Sequence, residues 1–175
     1  YGGILMDNEK LTKLERLILS NQYLILEKLD PECADYYAEK RIAIEDGYEL
    51  HYDECYSNIS NTVLSEEECE EVIDILSMYR AITYSVKPEY NIQHHNLKFR
   101  GFDLNDEYEG KLVSYARYFI NTLGRFEELK YGSSQGDFNS HSLKLSTYRK
   151  MLSKWESLGK DYQLTKDQIL SILEV

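Results

Sequence analysis

At 175 residues, with 42% hydrophobic and 29% charged side chains, the chain has the size and composition of a globular domain and lacks the low-hydrophobicity profile of a disordered one. Its 20 Lys and Arg against 31 Asp and Glu leave a formal charge of −11, an acidic surface that repels polyanions and disfavours nucleic acid as a partner. No run of about 18 apolar residues exists to cross a membrane, and no basic stretch leads into an apolar export core, so a cytoplasmic protein is expected. Its three cysteines, Cys33, Cys55 and Cys69, lack C-x-x-C spacing and fit reduced thiols.

The elements follow in order. Residues 1–6, ahead of Asp7, are set aside as an expression remnant or an extended start. From Glu9 to Leu29, Leu11, Leu14, Ile18, Ile25 and Leu29 recur at helical intervals, widened by Leu17 and Leu24. Asp30-Pro31 ends that helix and opens a second, from about Glu32 to Asp46, which Gly47 stops. A short helix is expected over Tyr48–Tyr56 and a turn over Ser57–Asn61. Ser65 with Glu68 forms a capping box for a helix whose face carries Cys69, Val72, Ile73, Leu76, Tyr79 and Thr83.

Val86 to Asp103 reads as an ordered connection packed by Phe99 and Phe102. A long helix is expected from about Asn105 to Lys130, with Gly124 marking a close contact or a bend. Tyr131 to Asn139, rich in Gly and Ser, reads as a loop, and two shorter helices, Leu145–Leu158 and Thr165–Glu174, complete the chain. The expected fold is all-α: one bundle of six or seven helices over residues 7–175, with one ordered loop before the long helix.

No catalytic signature stands out: there is no P-loop, G-x-G-x-x-G, H-E-x-x-H or G-x-S-x-G. No cofactor and no metal are expected. The adjacent His94 and His95 cannot easily chelate one ion, His51 and His141 are isolated, and Glu66 to Glu71 suits a solvated helix start. Acidic neighbours of Cys33 and Cys69 oppose a reactive thiolate. Asn21 falls on the Leu14, Ile18, Ile25 row, where it is expected as a hydrogen-bonded core amide fixing helix register, with ligand contact as the alternative. Arg117, Asn121 and Arg125 are spaced four apart, and with Arg100 and Asp103 they form the candidate ligand site, able to take a carboxylate or phosphate if they converge. Sixteen tyrosines suit helix seams and protein interfaces alike.

The run Glu15-Arg16-Leu17-Ile18-Leu19-Ser20-Asn21-Gln22-Tyr23, then Leu29-Asp30-Pro31, resembles the opening of the YfbU family of bacterial proteins. Phe99-Arg100-Gly101-Phe102-Asp103, Tyr115-Ala116-Arg117-Tyr118, Gly124-Arg125-Phe126 and Tyr148-Arg149-Lys150-Met151-Leu152 with Trp155 resemble the same family in the same order. The resemblance implies a small helical cytosolic protein and carries over no catalytic residue. The leading expectation is therefore a non-catalytic binding or regulatory module that self-associates, as a dimer, through a tyrosine-bearing helical face, or that binds another protein. The alternatives are an enzyme or sensor of small anions or nucleotides built on the arginines, and nucleic-acid binding through a local face.

Overall fold

Thr12 starts the first helix with a capping box: its hydroxyl accepts from the Glu15 backbone while the Glu15 carboxylate accepts from Thr12 N at 2.7 Å. In a computed structural model that describes residues 10–60, 62–132 and 136–175, helix α1 then runs Lys13–Leu29. The opening segment 1–6, Asn61 of the expected turn and residues 133–135 of the expected loop lie outside the described residues. The chain divides into two compact units, residues 1–63 and 64–175. Among the described residues there are six α-helices and no strand.

In the first unit, Pro31–Cys33 makes one 3-10 turn and α2 spans Ala34–Asp46, where the Asp30-Pro31 break places it. Gly47 ends α2 at φ 79°, and a Cβ there would also meet the Arg16 guanidinium at 3.0 Å. That guanidinium caps α2: its Nε donates to the Ile44 carbonyl at 2.7 Å and its Nη2 to the Glu45 carbonyl. The Ser20 hydroxyl donates to the Glu45 carboxylate at 2.7 Å, and Arg41 bridges Glu27 and Glu45. The Ser20 hydroxyl, then Arg41, hold the Glu45 carboxyl below the usual carboxylate range. α1 thus meets α2 through Arg16, Ser20 and Glu27, a polar row. Ala43, Ile44 and Tyr52 form a small core. The short helix expected over Tyr48–Tyr56 is two 3-10 turns, Glu49–His51 and Asp53–Cys55.

The second unit is organised by α3, Glu66–Ser85, which starts at the Ser65 and Glu68 box as expected. Against it pack α4 (Glu107–Arg117) and α5 (Leu145–Ser157), and α6 (Lys166–Leu173) packs on α5. The ordered connection before α4 supplies Phe99 and Phe102, both buried, to a cluster with Tyr79, Phe138 and Tyr148 whose ring centroids lie 5.4–5.8 Å apart. Gly101, at φ 84°, lets the two loops touch: a Cβ there would fall 1.8 Å from the Phe138 carbonyl oxygen. Phe102 N then donates to Phe138 O at 3.1 Å, and Ser140 N to Phe102 O at 2.9 Å.

The long helix expected to reach Lys130 stops earlier. After Arg117 it widens into a π-helical turn, Tyr118–Thr122, with Leu123 N donating to Tyr118 O. Gly124 (φ 64°) and Phe126 (φ 54°) then reverse the chain before a 3-10 stretch, Glu127–Gly132. Burial rewards this break. Phe126 turns into the core, and the Arg80 guanidinium, paired with Glu128, stacks 3.8 Å from its ring centroid.

Candidate interaction surface

Since α2 occupies the polar row of α1, the apolar row faces away from it. This corrects the expectation that Leu14, Ile18, Asn21 and Ile25 look into a core: all four are exposed. Leu14, Leu17, Ile18, Leu24, Ile25 and Leu29 lie between 44% and 75% exposed. At about 100° per residue, Leu14, Leu17, Ile18, Leu24, Ile25 and Lys28 point within about 60° of the Asn21 direction. Asn21 is therefore the midpoint of an open aliphatic stripe rather than a buried register amide. Six such side chains expose on the order of 600 Å² together, the upper end of what a lone protein tolerates in one patch. Beside the stripe, Lys13, Arg16, Leu17, Ser20, Asn21, Ile44 and Glu45 line an open groove of about 400 Å³.

The arginine candidates separate. The Arg117 guanidinium pairs with the Asp137 carboxylate and donates from Nε to the Asp137 carbonyl at 2.7 Å. Asn121 Nδ2 donates to the Gly136 carbonyl at 3.1 Å, so these two side chains together clamp the turn at 136–137. Arg125 lies beyond Gly124, off the helical row, because the π-turn and the reversal break the four-residue spacing. Arg100 is exposed, and its backbone N–H donates to the Tyr148 hydroxyl at 3.4 Å. Asp103 accepts from Asn105 N at 3.0 Å in an Asx turn. Among the described residues, no hydrogen bond or ion pair joins Arg100, Asp103 or Arg125 to Arg117 or Asn121. Likewise no group of three or more His, Cys, Asp or Glu among them is placed to hold a metal ion.

The residue that linear reading missed is Glu109. It lies 3% exposed inside the second unit, and its carboxylate accepts from Asp103 N at 2.8 Å, Lys144 N at 2.9 Å and Leu145 N at 2.7 Å. α5 has no side-chain cap of its own, and Glu109 supplies that role from 36 residues away. The signal in the sequence is a helix whose N-cap position holds Lys144 in place of Ser, Thr, Asp or Asn. Among the tyrosines, Tyr79 and Tyr148 are buried, and burial pushes both hydroxyls up from their ordinary pKa. Tyr118 stays about half exposed. No helix among the described residues is long and apolar enough to cross a membrane.

The YfbU domain model matches residues 9–175. The chain is 39% identical over 170 residues to UPF0304 protein MJECS11 of Methanocaldococcus jannaschii, covering 93% of this chain and 98% of that protein. The motifs spread from Glu15 to Trp155 are thus part of a match that runs nearly end to end, and the chain belongs to the YfbU family.

Proposed function

We propose that the protein is a binding module that assembles with a second copy of itself through the outer face of α1. The observation that carries this reading is the exposed aliphatic stripe from Leu14 to Leu29, set on a helix whose polar row is already used by α2. Its area, on the order of 600 Å² from six side chains, approaches the roughly 800 Å² that each partner contributes to a stable interface. The face is aliphatic, not tyrosine-bearing, and hydrophobic burial supplies its driving force.

Sedimentation of the full chain at micromolar concentration tests the reading. A dimer is expected, Ile18→Glu shifts it to monomer, and added salt strengthens association by screening the −11 charge on each copy. A wild-type monomer across that range, or an Ile18→Glu dimer, overturns it. Binding to nucleic acid would respond to salt in the opposite direction.

A further inference from the structure

The stripe has a symmetry that selects how two copies meet. α1 has Asn21 at its centre, eight residues from Lys13 and eight from Leu29. Counting outward, the third positions are Ile18 and Leu24, the fourth are Leu17 and Ile25, and the seventh are Leu14 and Lys28. The row is close to a palindrome in side-chain character. We propose that two α1 helices pair antiparallel about a two-fold axis passing Asn21, so that residue 21 − k of one copy meets 21 + k of the other. This rests on the self-association reading and adds its register.

Several physical terms favour that pairing over a parallel one. A two-fold interface must be self-complementary, and an antiparallel pair meets this through the palindrome: Leu17 faces the partner's Ile25 and Ile18 faces the partner's Leu24, four aliphatic contacts in all. Ser20 points about 100° away from Asn21 and is held by Glu45 of α2, so it stays out of the seam, and no charged side chain lies between Leu17 and Ile25 on this face. Lys28 meets Leu14 at the ends, where its stem covers the leucine and its ammonium reaches water. A parallel pair would instead set Lys28 against Lys28, placing like charges together in the seam. Asn21 accounts for the remaining term. On the axis, the two amides face each other, and each offers donors and acceptors to the other. One polar residue in an apolar seam penalises every shifted register, because a shift would leave both amides against leucine or isoleucine.

The experiment is a complementation between Leu17→Lys and Ile25→Glu, both at exposed positions, followed by sedimentation, with Trp155 fluorescence confirming that each variant keeps its fold. Each variant alone should raise the dimer dissociation constant by at least about tenfold. Mixed in equal amounts, they should recover a heterodimer, since only antiparallel pairing sets the new lysine against the new glutamate and leaves Ile25 on Leu17 at the other side. Asn21→Leu should tighten association, removing a polar group from the seam. If wild type dimerises and both single variants are monomeric but the mixture stays monomeric, the register is wrong and the interface stands. If wild type is monomeric, or neither single substitution weakens the dimer, the interface itself fails and the register with it.

Discussion

Replacing Glu109 with Gln tests whether the second unit depends on one buried carboxylate. Its two oxygens serve three backbone donors, Asp103 N, Lys144 N and Leu145 N, at 2.7–2.9 Å, with Lys144 N also reaching the second oxygen at 3.1 Å. An amide keeps one oxygen and aims an NH₂ group at whichever donors lose theirs, so at least one buried N–H goes unpaired. Hydrogen bonds to charged groups contribute about 1.5–3 kcal/mol, and an unsatisfied buried donor costs about 1–3 kcal/mol, so a loss of roughly 2–4 kcal/mol is expected. Urea unfolding followed by fluorescence of Trp155, the sole tryptophan and buried in this unit, isolates the effect. An unchanged slope with a lowered midpoint is the expected signature. Hydrogen exchange should speed up at residues 144–145 and at Asp103 but not across α1. A variant within about 0.5 kcal/mol of wild type refutes the assignment of Glu109 as the start of α5.

Gly101→Ala should cost more than about 3 kcal/mol, because the added carbon strikes the Phe138 carbonyl at 1.8 Å, whereas Gly124→Ala, with nothing within 4 Å, should cost about 1–2 kcal/mol from its left-handed backbone alone; thermal melts of the two variants check the contrast. Burial acts to raise the Glu128 carboxyl, but Arg80, its own backbone N–H and Tyr84 outweigh it and hold it below the ordinary 4.5. A depressed carboxylate contributes its stability in full above the ordinary value and loses it as pH falls through the folded one, so unfolding measured between about pH 5 and 3 should fall more steeply for wild type than for Glu128→Gln. Arg117→Met should leave global stability within about 1 kcal/mol, its ion pair being partly exposed, while amide exchange rises at residues 136–138.

Much of the helical outline was legible because the signals were local. Ser65 with Glu68, Gly47, Asp30-Pro31 and Thr165 each act within four residues, and α3, α2 and α6 begin or end there. The capping box of Thr12 and Glu15 was equally local and passed unnoticed. The early end of α4 was not legible, since Gly124 alone costs a helix only about 1 kcal/mol, and the decisive term is burial of Phe126 beneath Arg80 from another helix. Periodicity located the α1 stripe but not its direction. Direction depended on Arg16 finding the carbonyls of Ile44 and Glu45, 28 and 29 residues away. The arginine site failed to gather for a similar reason: a four-residue spacing predicts a shared face only while the helix stays regular, and between Arg117 and Arg125 it does not.

The Arg16 cap bears on how readily the protein could exchange partners. A hairpin latched by a guanidinium on carbonyls, and by Ser20 and Arg41 on Glu45, owes its closure to contacts that separation of two copies would leave untouched. Under the self-association proposed above, two copies would come apart and re-form without melting either hairpin, and assembly would respond to concentration instead of being fixed at synthesis.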